Sequence, residues 1–146
     1  MGHEVRRGKE TVGARPGALY VCATPIGNLA DASRRLVETL RAVDVVATED
    51  TRVARKLLNA LGVGEKALIS FHEHNKWERL PEILSMLEEG KSVALVTDAG
   101  MPAISDPGWE LVKAAIDAGV KVTVVPGPSA SVSALVVSGM KPCPFT

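Results

Sequence analysis

The 146-residue sequence is poor in aromatic residues, which make up 3% of it, and it has only two cysteines, Cys22 and Cys143. Neither cysteine stands in a CxxC pair or at the Cys/His spacing of a zinc site, so the sequence predicts no metal centre and no disulfide framework. No apolar run approaches the roughly 18 residues of a membrane span, and residues 1–17 lack the apolar segment of a secretory signal. These absences predict a cytoplasmic protein with no membrane partner.

An excess of charge of one sign is also missing, because 17 Lys and Arg balance 17 Asp and Glu. Any nucleic-acid partner would therefore have to be held by a local basic patch. Hydrophobic residues make up 46% and charged residues 23%, which is typical of a folded globular domain. The length suits one domain. We expect a flexible, Arg-rich leader over residues 1–17 and one domain over residues 18–146.

Apolar runs and amphipathic segments alternate along the chain, which predicts an α/β fold. The predicted strands are 19–23, 43–48, 67–70, 92–97 and 121–125, and the predicted helices are 33–41, 51–61, 77–89, 108–118 and 129–138. Ser33 is expected to cap the first helix, and Trp77 to point inward from the third. Runs such as Val-Ala-Leu-Val and Val-Thr-Val-Val are typical of parallel strands buried on both faces. The expected architecture is a doubly wound, mainly parallel five-stranded sheet with helices on both faces.

The loops that follow the predicted strands contain the unusual residues. In a parallel sheet these loops share the carboxyl edge, where ligands of open α/β sheets bind. They are residues 24–28, 49–52, 72–75, 98–108 and 126–129. A single Pro/Gly loop is as often a mere connector as a site, and Asp98 and Asp106 have helix or turn capping as an alternative role. The length of the fourth loop nevertheless favours a function.

The sequence argues against two common ligands of this edge, dinucleotides and polyphosphates. Gly27 stands alone after the first strand, without the G-x-G-x-x-G of dinucleotide sites, and no phosphate-binding P-loop motif is present. His72 and His74 form an H-x-H pair without a third metal ligand at a recognisable spacing. The acidic residues expected at the edge would repel phosphates but suit ribose hydroxyls, amines or a sulfonium cation. They are Glu49, Asp50, Glu73, Asp98 and Asp106.

Five segments resemble the ribosomal RNA small subunit methyltransferase I family of the tetrapyrrole methylase superfamily. They are LYVCATPIGNLAD (19–31), ATEDTR (47–52), SFHEHN (70–75), DAGMPAISDPG (98–108) and VPGPSA (125–130). The resemblance implies S-adenosylmethionine as cofactor and the ribose 2′-hydroxyl of a cytidine in the 16S RNA of the small ribosomal subunit as substrate. It also implies a two-domain enzyme with the cofactor between the domains. The chain would then be the N-terminal domain, and inactive alone.

The resemblance also implies roles for individual residues. The expected cofactor-binding residues are Thr24, Pro25, Gly27, Asp98, Ala99, Gly100, Ile104, Ser105, Asp106, Pro126, Gly127 and Ser129. Met101 stands where the family usually has Thr, so a hydroxyl contact is not expected there. The candidates for the proton acceptor are Glu49, Asp50, His72 and Glu73, with a solvent molecule or a residue of a second domain as alternatives. Arg52, Arg55 and Lys56 are expected to hold RNA phosphates, or else to be solvated helix charges.

Two other functions stay open at this point. The shared superfamily allows a tetrapyrrole C-methyltransferase, although the Glu49–Arg52 and His72–Asn75 loops argue against it. A non-catalytic module that binds a protein or a nucleotide at the same edge is the alternative from another class. Family members also suggest a homodimer.

Overall fold

Five parallel strands form one sheet in the computed structural model, which describes residues 13–144. The strands are β1 (Ala18–Cys22), β2 (Val45–Thr48), β3 (Ala67–Ser70), β4 (Val93–Val96) and β5 (Lys121–Val125), in the spatial order β3-β2-β4-β1-β5. The helices are α1 (Arg34–Ala42), α2 (Thr51–Ala60), α3 (Lys76–Glu88), α4 (Trp109–Asp117) and α5 (Ala130–Val137), with a 3-10 turn at Leu29–Asp31. The predicted strands and α-helices are confirmed to within two residues at each end.

Two separate apolar cores show that the sheet is covered on both faces. Leu36 and Leu40 of α1 and Leu58 of α2 pack with alternate residues of the central strands, including Val46. The other face packs against α3 and α4, through Ile83, Leu87, Leu111 and Ala115. The three central strands β2, β4 and β1 are buried along their whole length. The doubly wound architecture predicted from the sequence is therefore confirmed.

The edge strands differ from the expectation of burial on both faces. The Val-Thr-Val-Val run belongs to β5, which has a single neighbouring strand, and Val124 is 49% exposed. The helix that follows covers little of it, because no residue of α5 is buried. An apolar run therefore predicted the strand correctly but not its place at the edge of the sheet.

The orientation predicted for Trp77 is wrong, since its side chain is 69% exposed. The buried side of α3 is formed by Lys76, Ile83 and Leu87. These residues are spaced by seven and four positions and so share one helix face, whereas Trp77 lies about 100° around the helix from Lys76. The buried lysine at the start of the helix thus takes the place that the pattern assigned to the tryptophan.

Residues 15–17 are joined to the domain by hydrogen bonds. The Arg15 backbone N–H donates to the Tyr20 hydroxyl over 2.8 Å, and the Gly17 N–H donates to the Gly90 carbonyl over 2.9 Å. Residues 1–12 of the predicted leader lie outside the described residues, so the leader stays a prediction. Within residues 13–144, no helix is long and apolar enough to cross a membrane.

Replacing Ser33 by Ala is expected to lower the free energy of unfolding by about 1 kcal/mol, because its hydroxyl accepts the Leu36 backbone N–H over 3.0 Å and caps α1. Ser129 provides a matched control, since it occupies the same position at the start of α5 without a capping hydrogen bond. Urea denaturation of Ser33→Ala and Ser129→Ala measures the difference. Equal losses in the two variants would contradict a capping role for Ser33.

Candidate functional site

The parallel sheet brings all five predicted loops to one edge, and two of them are joined by a β-bridge. The Thr24 N–H donates to the Gly100 carbonyl over 2.9 Å, and the Gly100 N–H donates back to the Thr24 carbonyl over 3.1 Å. The Thr24 hydroxyl donates to the Thr97 carbonyl over 3.2 Å. Gly100 has φ 83°, a conformation that favours glycine. The loops after the adjacent strands β1 and β4 are thus fixed to each other.

A second close approach joins the loops after β1 and β5. A Cβ atom added at Gly127 would lie 3.0 Å from the Cβ of Ala23, and the Ala23 N–H donates to the Val125 carbonyl over 3.1 Å. Packing therefore explains a glycine at this position without a ligand. The cofactor roles predicted for Pro126, Gly127 and Ser129 stay predictions.

The long loop between β4 and α4 is anchored at three buried residues, Gly100, Pro102 and Gly108. The exposed residues of the loop are Asp98 and Ala99, just before the first anchor, and Ile104 and Ser105, between Pro102 and Gly108. Ile104 is 76% exposed. All four belong to the predicted cofactor-binding set, so the described loop leaves them accessible to a ligand.

A cavity of about 490 Å³ opens above the carboxyl ends of β3, β2 and β4, within the usual size range of ligand sites. It is lined by Glu49, Asp50, Thr51, Arg52, Ser70, His72, Glu73, His74 and Asp98. The cavity therefore unites all four candidate proton acceptors with one candidate cofactor residue, Asp98. The other predicted cofactor residues do not line it, and those after β1 and β5 lie toward the other side of the same edge.

Negative charge is concentrated in this cavity. Burial raises the pKa of Glu49, and the charges of Asp98 and Asp106 raise it further, while His72 acts in the opposite direction. Partial desolvation raises the pKa of Asp98, although its side chain is largely exposed, and the charges of Asp50 and Asp106 raise it further, while a hydrogen bond from the Asp50 backbone N–H acts in the opposite direction. Like charges that oppose each other's ionisation would be relieved by a bound cation.

Asp50 has a structural partner that distinguishes it from Glu49. Its carboxylate accepts the Arg52 backbone N–H over 2.8 Å and pairs with the Arg52 guanidinium over 3.0 Å and 3.2 Å. These hydrogen bonds lower the pKa of Asp50 to about 2. Asp50 thus caps α2 and neutralises Arg52, which weakens the case for Asp50 as a proton acceptor and for Arg52 as an RNA contact.

The cap predicts a specific pH dependence. A carboxyl group with a lowered folded-state pKa contributes stability above its ordinary pKa, and the contribution is lost as the pH falls through the folded value. Because Asn is also a good cap, Asp50→Asn isolates the charge. We expect the variant to be less stable than the parent at neutral pH, and the gap in urea midpoints to close between about pH 4 and pH 2. A gap that is independent of pH would contradict the charged cap.

Asn75 organises the loop after β3, a role that the sequence analysis missed. Its side-chain oxygen accepts the His72 N–H over 2.8 Å, and its amide donates to the Ser70 carbonyl over 3.2 Å and to the Ser70 hydroxyl over 3.0 Å. The His72 Nδ1 atom accepts the His74 N–H over 3.2 Å. Asn at a turn was the available signal. Residues 13–144 contain no group of three or more His, Cys, Asp or Glu placed to hold a metal ion.

The candidate RNA contacts line a second cavity of about 540 Å³ beside the first. Arg52, Arg55 and Lys56 all border it, and Asp50 and Arg52 border both cavities. The structure therefore places the basic residues of α2 next to the acidic cavity. Cys22 is buried, and burial raises the pKa of its thiol to about 12, which leaves it protonated and unreactive.

Comparison with known proteins identifies relatives over most of the chain. Residues 18–145 match the family described as tetrapyrrole (corrin/porphyrin) methylases. A Mesorhizobium japonicum protein named ribosomal RNA small subunit methyltransferase I is 51% identical over 135 residues, which are 91% of this chain and 46% of that protein. A Thermotoga maritima protein of the same name is 52% identical over 123 residues, which are 84% of this chain and 55% of that protein. The resemblance predicted from the five segments is confirmed.

The fold is shared with a solved structure of a more distant protein. Uroporphyrin-III-C-methyltransferase from Thermus thermophilus superposes with a TM-score of 0.62 at 23% identity, over 86% of this chain and 53% of that one. At this identity the similarity shows the fold alone. The chain spans about half the length of the curated relatives it matches.

Proposed function

Because the chain belongs to the tetrapyrrole methylase family, we propose that it forms the cofactor-side half of an S-adenosylmethionine-dependent methyltransferase. Its proposed substrate is the ribose 2′-hydroxyl of a cytidine in the 16S RNA of the small ribosomal subunit. One observation supports this most: three of the five loops that resemble the ribosomal RNA enzymes, those after β2, β3 and β4, line one acidic cavity at the carboxyl edge, in a chain 51% identical to a protein of that name.

The residues at the edge fit a cationic cofactor with a ribose. Asp98 is exposed at the end of β4, and the neighbouring charges of Asp50 and Asp106 oppose its ionisation, so a sulfonium or ammonium group nearby would be stabilising. We assign Asp98, Ala99, Ile104 and Ser105 to the cofactor, with the Thr24–Gly100 bridge holding their loop in place. When bound, S-adenosylmethionine supplies an activated methyl group, so the protein has to align the acceptor and remove its proton.

Among the four candidates for the proton acceptor, the contacts favour Glu49. Asp50 is held as a helix cap by Arg52, and Glu73 pairs with Lys76 over 2.8 Å. The His72 Nδ1 atom already accepts a hydrogen bond from the chain. Glu49 lines the cavity, and its pKa is raised by burial and by Asp98, which makes its carboxylate a stronger base. We therefore assign the removal of the hydroxyl proton to Glu49.

Arg55 and Lys56 are the proposed contacts to RNA phosphates. Both border the cavity beside the acidic one, so a strand held there would reach the cofactor site with its ribose. On a chain of zero net charge, such a local patch is what an RNA partner requires. A homodimer remains a prediction, which light scattering after size exclusion would test.

The experiment that tests the proposal uses this chain joined to the part of the Mesorhizobium relative that it does not cover, called here the fused protein. We expect the fused protein to restore 2′-O-methylcytidine to 16S RNA, measured by nucleoside mass spectrometry, in cells that lack their own enzyme of this kind. The chain alone is expected to restore none, because a cofactor held by one wall stays open to water. Unchanged 2′-O-methylcytidine with a folded fused protein would overturn the proposal.

A further inference from the structure

A buried ion pair joins the helices that follow two of the three loops lining the acidic cavity. Lys76, the first residue of α3, hydrogen-bonds through its ammonium group to the carboxylate of Glu110 in the first turn of α4. The two side chains are 11% and 6% exposed. The same ammonium group pairs with Glu73 over 2.8 Å, and Glu73 lines the cavity. We call Glu73, Lys76 and Glu110 the Lys76 bridge.

The bridge connects segments that the sheet itself does not connect. Strand β2 lies between β3 and β4, so the loops that follow β3 and β4 do not come from neighbouring strands. Lys76 follows the first of these loops directly, and Glu110 accepts the backbone N–H of Gly108, the last residue of the second, over 3.4 Å. The Lys76 ammonium group also lies 5.4 Å from the centre of the Trp77 ring. The charge-assisted hydrogen bonds from Lys76 to Glu73 and Glu110 are directional, so they fix the spacing of the two loops.

General stability is a weak explanation for such a pair. Burying two charges removes them from water, and the free energy of this desolvation is often as large as the free energy gained from their attraction. A protein in which apolar residues of similar volume replace such a pair is commonly just as stable. Burial alone would raise the pKa of Glu110, but the hydrogen bonds from Lys76 and from the backbone N–H groups of Gly108 and Glu110, together with the charge of Lys76, hold it below its usual value. The buried pair contacts Glu73 of the cavity on one side and Gly108, the last residue of the 98–108 loop, on the other. A pair with these two contacts can hold the two loops at a fixed distance.

We propose that Lys76 is a positioning residue: through Glu73 and Glu110 it holds the 72–75 loop against the 98–108 loop and so sets the width of the acidic cavity. The part of this inference that concerns S-adenosylmethionine rests on the proposed function. The part that concerns the spacing of the two loops does not. Lys76 touches no reacting atom in this proposal. It acts through the carboxylate of Glu73 and through the loop that presents Asp98.

The test replaces the pair by apolar residues. The single variant Lys76→Met would leave the Glu110 carboxylate buried without a partner, so the double variant K76M/E110M is used, since Met fills irregular space. K113M/D117M is the matched control, because it removes an exposed ion pair of α4 whose side chains are 63% and 59% exposed. Lys76→Arg keeps the charge and is expected to behave as the parent.

Hydrogen exchange of two amides reports on the loops without any ligand. The Asn75 N–H donates to the His72 carbonyl, and the Gly100 N–H donates to the Thr24 carbonyl, so neither amide is bonded to a replaced side chain. In K76M/E110M we expect both amides to exchange about tenfold faster at unchanged global stability, with central strand amides unaffected. Parent-like exchange at Asn75 and Gly100, or faster exchange throughout the sheet, would overturn the proposal.

A second measurement separates this inference from the proposed function. In the fused protein, K76M/E110M is expected to raise the dissociation constant for S-adenosylmethionine about tenfold, while the control leaves it unchanged. If the parent fused protein does not bind the cofactor, the proposed function fails, and the exchange result still decides whether the bridge positions the loops. If K76M/E110M bound S-adenosylmethionine with the dissociation constant of the parent, the Lys76 bridge would have no role in cofactor binding.

Discussion

Glu49→Gln is expected to slow methyl transfer by the fused protein about 10²- to 10⁴-fold, which is the usual contribution of a general base. Gln keeps the size of the side chain but does not accept the hydroxyl proton. Glu49 lines the cavity without capping a helix, so the fold and the cofactor affinity should change little. Single-turnover assays on small ribosomal subunits, together with calorimetric titration of the cofactor, measure the two quantities separately.

The pH dependence gives an independent check on Glu49. Because its pKa lies above the ordinary value of 4.5, the rate of the parent should fall as the medium is acidified while the pH is still above that value. In Glu49→Gln this acidic limb should disappear. Glu65→Gln is the matched control, since Glu65 is exposed in the loop before β3, at the opposite edge of the sheet. A rate loss of similar size in both variants would contradict the assignment.

Asp98→Ala is expected to weaken the binding of S-adenosylmethionine to the fused protein by about 1.5–3 kcal/mol, or about 10- to 150-fold. The expected loss is that of a charge-assisted hydrogen bond. The Asp98 side chain is exposed and does not belong to either apolar core, so the unfolding free energy should change by less than about 0.5 kcal/mol. Removal of a carboxylate from a crowded acidic site even favours a slight gain in stability.

Asp117→Ala serves as the control for Asp98, because it removes an exposed carboxylate of α4 that pairs with Lys113. Titration calorimetry gives the affinity, and thermal unfolding gives the stability. If Asp98→Ala lost affinity and melting temperature in equal measure, Asp98 would be a structural turn residue, as its alternative role in capping predicts.

Local patterns predicted the layers of the fold well. The apolar run of β3, residues 67–70, and the serine that caps α1 are set by near neighbours in the chain, and both predictions are confirmed. The carboxyl-edge loops followed from the parallel connection rule once the strands were known. Patterns of this kind contain no information on which strand lies at an edge, so the exposure of Val124 was missed.

The contacts that shape the site come from residues distant in sequence. The bridge between Thr24 and Gly100 depends on β4 lying beside β1, an order that no local pattern specifies. The burial of Lys76 depends on Glu110, 34 positions away, and it explains why Trp77 points outward. Asp50 and Asn75 are exceptions, because their partners lie within five positions in the chain. An Asp just before a predicted helix is a recognised cap signal, so the hydrogen bond from the Arg52 backbone N–H to Asp50 could have been predicted.

The central claim, that the carboxyl edge binds S-adenosylmethionine, is tested most directly by amide chemical shifts of the isotope-labelled chain during titration with the cofactor. We predict weak, saturable shifts concentrated in residues 24–28 and 98–105, and their loss in Asp98→Ala. Shifts concentrated in the loops of the opposite edge, residues 62–65, 89–91 and 118–120, would contradict the claim. So would the absence of any shift in the chain and of any binding by the fused protein.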